Sequence, residues 1–239
     1  MKMPDLALPA GIDMCFGTSP QEVAERLANT VAGFLQARLE AAPRASLAVS
    51  GGSTPAPFFQ ALSVKDLDWG RVDIVLVDER WVDEADPASN TRLVKQTLLQ
   101  NKAAAAQFFS LKQPGKTPQE GLDAAEAEIA ELTQPLDVLV LGMGNDGHTA
   151  SLFPDAPGIE AAMDPGSRQS LAAVAPLSQA QPRITLTYAM MRAARLAILH
   201  LKGNDKMETL KRALEQPDDS LAMPVRGFLK PGLSIFWSP

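Results

Sequence analysis

Apolar residues along this chain follow two rhythms. After Ser19, residues Val23, Leu27, Val31, Phe34, Leu35 and Leu39 recur at helical spacing, which predicts a helix that ends before Pro43. Ser19 suits its N-cap, Pro20 its first turn, and Glu22 completes a capping box. Short apolar runs follow a different rule. Ser46–Ser50, Val72–Asp78, Val138–Leu141, Arg195–Lys202 and Leu233–Trp237 read as buried strands. Leu171–Ala175 adds another, and Gln181–Thr187 alternates Ile184 and Leu186 with Thr185 and Thr187. Helical patterns separate these runs: Pro55 through Phe58, Phe59 and Leu62, then Asn90–Leu99, Pro118–Leu132, Tyr188–Ala194 and Lys206–Leu214. Val82–Ser89, Lys112–Gln119 and Pro154–Gly166 read as irregular. Strands that alternate with helices predict the α/β class: a doubly wound, mainly parallel, Rossmann-like sheet with helices on both faces. No repeat or linker divides the chain, so residues 1–239 read as a single domain.

Composition narrows the partners. The 239 residues are 46% hydrophobic and 21% charged, with a net charge of −6. An acidic surface argues against nucleic acid or an anionic membrane as partner. An anionic substrate would have to be held by a local basic cluster. The single cysteine, Cys15, excludes an intrachain disulfide and fits a reducing, cytoplasmic setting. The first twenty residues have no signal-peptide pattern, and no apolar run approaches the ~20 residues a membrane span needs.

Candidate chemistry centres on Asp137–Pro154, DVLVLGMGNDGHTASLFP. A buried strand breaks into Gly142, Gly144 and Gly147, which enclose Asn145 and Asp146 and deliver His148. In an open α/β sheet, ligands bind beyond the carboxyl ends of the strands. Gly142–Gly147 formally matches a dinucleotide fingerprint, but Pro154 and Pro157 cut short the helix that should follow. His148, His200 and Cys15 lack zinc-ligand spacing, so no metal is expected. His200 lies within an apolar strand pattern and reads as a satisfied core histidine. There is no nucleophile elbow. His148 is left as general base, with Asp146 or Asp78 as an orienting or charge-tuning neighbour. Two further strand ends contribute. Gly51, Gly52, Ser53 and Thr54 precede a helix start, an arrangement that suits an anion; a turn capped by Ser or Thr is the competing reading. Asp78, Glu79, Arg80 and Trp81 place acids, an arginine and an aromatic at a strand's end, where a surface ion pair in a solvated turn would also fit.

Taken in order, SGGSTP at Ser50–Pro55, DERW at Asp78–Trp81 with Ser89-Asn90, GMGNDGHTASLFP at Gly142–Pro154 and PRITLT at Pro182–Thr187 resemble the signatures of the 6-phosphogluconolactonase family. The resemblance spans nearly the whole chain. Glucosamine-6-phosphate deaminases share the fold and the Asp-Gly-His element but differ after the histidine. Gln181 stands where a second proline is common, which bears on loop shape. The resemblance implies the deaminase/lactonase type of sheet. It also implies hydrolysis of 6-phospho-D-glucono-1,5-lactone to 6-phosphogluconate in the pentose phosphate pathway, without cofactor. His148 would be the base and Arg80 would lie at the active site. Arg183 and Lys206 would bind phosphate, with Lys202 and Lys211 as neighbouring candidates for the lysine. Gly51, Gly52, Ser53, Thr54 and Asn145 complete the expected binding set. Arg80, or amides near Gly51-Gly52, would stabilise the oxyanion. The expected partner is the phosphorylated sugar lactone alone, bound by a monomer or small homo-oligomer. A deaminase is the alternative enzyme. A phosphosugar-sensing domain is the non-catalytic alternative, but little sequence before Ser19 is left for DNA contact.

Overall fold

Val77 divides the architecture in two. Its N–H donates to Val49 O (2.9 Å), while its own carbonyl accepts from Leu186 N (2.8 Å). The first bond belongs to a large parallel sheet and the second leads into a small antiparallel one. The computed structural model describes Leu6 and residues 8–239, so part of the segment examined for a signal peptide lies outside the described residues.

The strands are β1 (Asp13–Phe16), β2 (Ala45–Val49), β3 (Val72–Leu76), β4 (Asp78–Arg80), β5 (Gln107–Phe109), β6 (Val138–Leu141), β7 (Leu171–Val174), β8 (Arg183–Leu186), β9 (Leu196–Lys202) and β10 (Leu233–Ser238). The helices are α1 (Pro20–Ala41), α2 (Ala56–Ser63), α3 (Asn90–Thr97), α4 (Pro118–Ile129), α5 (Ile159–Ala162), α6 (Tyr188–Arg192) and α7 (Asn204–Glu215). Seven strands form the large sheet in the order β1-β10-β9-β6-β2-β3-β5, and every pairing in it is parallel. The order β4-β8-β7 forms the antiparallel sheet. β2, β3 and β6 are buried along their whole length, as their unbroken apolar sequences require. α1 packs on α2 and on β10, β2 and β6, while α4 covers β7 and β8.

The sequence-based boundaries hold for the long elements, and four points are corrected. The run Val72–Asp78 is not one strand, because after Leu76 the chain changes sheets and Asp78–Arg80 pairs antiparallel with Arg183–Thr185. The capping box is offset. Ser19 Oγ accepts from Glu22 N (3.2 Å), but the Glu22 carboxylate takes Thr18 N and Thr18 Oγ1 (2.7 Å each) rather than Ser19 N. α7 begins at Asn204 rather than Lys206. The irregular stretch Pro154–Gly166 contains the single helical turn α5.

Two features position the site. From β2 the chain builds outward through β3 to β5. It then returns to place β6 on the other side of β2 and builds toward β1. Connections therefore leave the ends of β2 and β6 in opposite directions, and such a switch point opens a crevice. Buried Asp137 pins the start of β6. It accepts from Ser46 N (3.0 Å) and from Arg38 Nε (2.7 Å) and pairs ionically with Arg195 Nε (3.2 Å), which ties together α1, β2, β6 and the entry to β9. Among the described residues, no helix is long and apolar enough to cross a membrane.

Candidate active site

A cavity of about 300 Å³ fills this crevice, and its walls are the carboxyl ends of β2, β6 and β9 with the edge of β4. Gly142 N donates to Ser50 Oγ (3.0 Å), joining the β2 and β6 loops at the cavity floor. Beyond it the chain makes a tight turn. Gly147 N donates to Gly144 O (3.0 Å) and Gly144 N donates to His148 O (2.9 Å). A side chain at 144 is excluded, because a Cβ there would fall 2.1 Å from His148 Cε1. The missing side chain leaves room for the imidazole.

His148 is fixed on two sides. Its Nδ1 is 2.6 Å from Asp146 Oδ1, and its ring stacks on Phe153 with centroids 3.8 Å apart and planes 23° apart. Nδ1 is thereby committed to the carboxylate, which leaves Nε2 as the nitrogen available to a substrate. Burial raises the Asp146 pKa, but the hydrogen bond and charge of His148 outweigh it and hold the carboxyl below its usual range. Asp78, the other orienting candidate, has different partners. It takes the Ser151 hydroxyl and lies 3.7 Å from Arg183 Nη1. Ala150, at φ +50°, makes the left-handed turn between His148 and Ser151.

Strand periodicity sorts the DER residues. Successive side chains on a strand point to opposite faces, so Asp78 and Arg80 both line the cavity and Glu79 turns away. Glu79 is buried and accepts from Arg80 N, Ser89 Oγ, Asn90 N and Thr91 N at 2.7–3.1 Å. Its carboxylate caps α3 and locks that helix to β4. Asn90 is held in turn, donating to Asp78 O (3.0 Å), and its side chain occupies the space a Cβ on Gly51 would need.

The cations converge from four elements. Arg80 donates from Nη1 to Ala88 O (2.6 Å), and its buried Nε has no partner among the described residues. Arg183 donates to Gln179 Oε1 (2.8 Å), lies 5.1 Å from the Phe153 ring centroid, and also has an unpartnered Nε. Burial lowers the Arg183 pKa against the pull of Asp78, and a guanidinium keeps its charge regardless. Lys206, in the first turn of α7, lines the cavity and donates to Asn145 Oδ1 (2.6 Å). Lys202 also lines the cavity, whereas Lys211 pairs with Glu208 outside it. Gly51, Gly52, Ser53 and Thr54 form the facing wall. α2 begins just beyond, with Pro55 at its N-cap and no side-chain cap bond, so the capped-turn reading does not describe it. Among the described residues, its first amides have no side-chain partner. The described residues include no group of three or more His, Cys, Asp or Glu positioned for a metal.

A family model described as glucosamine-6-phosphate isomerases/6-phosphogluconolactonase matches residues 18–237. The chain belongs to this family. The 6-phosphogluconolactonase of Pseudomonas aeruginosa is 45% identical over 240 residues, covering 100% of both chains. That of Rhizobium meliloti is 42% identical over 92% of this chain and 96% of its own. The crystal structure of a 6-phosphogluconolactonase from Shewanella baltica aligns with a TM-score of 0.93 at 40% identity, covering 98% of this chain and 100% of that one.

Within this member of the glucosamine-6-phosphate isomerase/6-phosphogluconolactonase family, most of the expected site residues share one cavity. Two stand behind it: Asp146 supports His148, and Asn145 bridges to α7 through Lys206 Nζ and through Arg212 Nη2, which donates to its carbonyl (2.6 Å). Phe153, Ser151 and Gln179 were missed as contributors. Ser151 acts on Asp78, 73 residues away, whereas Phe153 and Gln179 act on His148 and Arg183 only five and four residues away, without any pattern that marks them. His200 also departs from the sequence reading. It is 6% exposed and set edge-on to Phe58, yet it lines the cavity and makes no hydrogen bond to any described residue.

Burial depresses the His200 pKa to about 4. The unfolded chain therefore binds the proton more readily than the folded one. Stability from this site is intact above the ordinary histidine pKa of about 6.5 and is lost as pH falls toward about 4. The full loss is about 3 kcal/mol. Urea unfolding between pH 7.5 and 4.5 should show His200→Gln with a shallower acid-side decline than wild type. Parallel declines would mean His200 titrates normally in the fold.

Proposed function

We propose that this chain hydrolyses 6-phospho-D-glucono-1,5-lactone to 6-phosphogluconate. The observation that carries the reading is the His148–Asp146 pair, which presents Nε2 to a cavity whose other walls are a glycine loop and the cations Arg80, Arg183 and Lys206. A neutral lactone carbonyl with a remote phosphate needs such a site: one base, one donor for the carbonyl oxygen and one anion cradle. The full-length relatives named 6-phosphogluconolactonase support the lactone over an amino sugar as substrate.

In the proposed step, His148 Nε2 takes a proton from water as the water oxygen attacks C1 of the lactone. The C1–ring oxygen bond then breaks, and the imidazolium returns the proton to that oxygen. Asp146 stabilises the imidazolium. Arg80 receives the charge that develops on the carbonyl oxygen. Arg183, Lys206 and the amides around Ser53-Thr54 hold the phosphate, and this remote binding energy positions C1 against the water. Asp78 keeps Arg183 in place rather than exchanging protons with substrate.

The deciding assay is turnover by purified protein of the lactone and, separately, of glucosamine 6-phosphate. Turnover of the amino sugar alone would replace this reading with the deaminase. Every step runs on protein groups, so activity should survive exhaustive dialysis against EDTA. Loss of turnover that zinc, magnesium or manganese restores would overturn the metal-free mechanism.

A further inference from the structure

His200 lines the cavity in a state a core residue rarely adopts. It lies on β9, beside β6, and residues two apart on a strand share a face. Lys202, two positions on, lines the same cavity. The His200 ring meets Phe58 edge-on at 6.2 Å, and Phe58 belongs to α2, the helix that leaves the Gly51–Thr54 loop. His200 is therefore packed at the pole of the cavity formed by that loop and by Lys202 and Lys206.

A neutral imidazole carries one N–H donor and one lone-pair acceptor. Such groups favour a hydrogen-bond partner over an apolar contact. Phenylalanine or leucine would fill the same apolar strand position with no polar group to satisfy. The ring nitrogens of His200 make no bond to any described residue, and they are absent from the fully buried polar atoms that lack partners. They therefore open onto the cavity, where an occupant can satisfy them. Its depressed pKa keeps the ring uncharged at neutral pH. It can then give a directional hydrogen bond without adding to the positive charge already present.

We infer that His200 is a substrate-binding residue that donates a neutral hydrogen bond to the phosphate-bearing end of the substrate. This assignment rests on the proposed lactonase reading for its substrate, but not for its direct test. The chain has only two histidines, so ¹⁵N-histidine labelling of His148→Asn leaves one imidazole signal. Titrating that protein with inorganic phosphate at constant ionic strength should shift the His200 ring N–H saturably, with chloride giving no such shift. In the active enzyme, His200→Phe should raise KM for the phosphorylated lactone about tenfold and leave kcat within about twofold. His200→Gln, which keeps a donor, should recover part of the affinity. Neither change should alter KM for the unphosphorylated lactone. A His200 signal that ignores saturating phosphate overturns the assignment, as does a folded His200→Phe enzyme with wild-type KM. Absence of lactone turnover in the wild type would instead sink the proposed function, while the phosphate titration would still be decisive for His200.

Discussion

His148→Asn should lower kcat on the phosphorylated lactone by ~10²–10⁴-fold, the usual contribution of a positioned general base. Asparagine keeps polarity and approximate size but supplies no basic nitrogen at Nε2. The proposed phosphate cradle is untouched, so KM should change little, as expected when an interaction made only in the transition state is lost. Stacking on Phe153 is also forfeited, so circular dichroism must first establish that the variant is folded. Rates need correction for spontaneous lactone hydrolysis. A folded variant that keeps wild-type kcat would move the base elsewhere and overturn the mechanism.

Arg183→Ala should cost roughly ten- to a hundredfold in kcat/KM for the phosphorylated lactone and little for the unphosphorylated one. The expected size follows from one charge-assisted hydrogen bond, worth ~1.5–3 kcal/mol. A second effect comes from the fold. Arg183 lies 3.7 Å from Asp78, and both side chains are buried. Among the described residues, removing the arginine leaves that carboxylate with the Ser151 hydroxyl alone, and uncompensated buried charge destabilises. The melting temperature should therefore fall together with activity. Lys206→Ala separates the two effects. Its ammonium is partly exposed and bonded to Asn145, so it should show the same preference for phosphorylated substrate with a smaller thermal cost. Equal losses on both lactones, for either variant, would show that the residue does not hold phosphate.

Burial left a clear trace in the sequence wherever an element was long or central. β2, β3, β6, β9 and β10 are apolar runs because both faces of an inner parallel strand meet other side chains. α1 carries its own cap and stripe. The histidine turn was equally visible, since three glycines around Asn145 and Asp146 have no use in a core strand. Even the His148–Asp146 contact is local, made across two residues of one tight turn. The edge strands β1 and β5, four and three residues long, left no such trace. A run that short, covered on one side only, cannot establish a period.

Tertiary structure decided what depends on residues far apart in the chain. Asp78-Glu79-Arg80 looks like a charged turn because every side chain is ionic. It becomes a strand only because Arg183–Thr185, about a hundred residues later, supplies its partner. That pairing sends Asp78 to Arg183 and Ser151 and leaves Asp146 to serve His148. It also turns Glu79 away from the cavity to cap α3. His200 shows the same division. Its strand pattern is that of a core residue, and in burial it is one. Its ring nevertheless opens onto the cavity, because the neighbouring ends of β6 and β2 turn into Gly142, Gly51 and Gly52. Those residues bring no side chain to cover it, and local sequence carries no record of which strand ends will stand side by side.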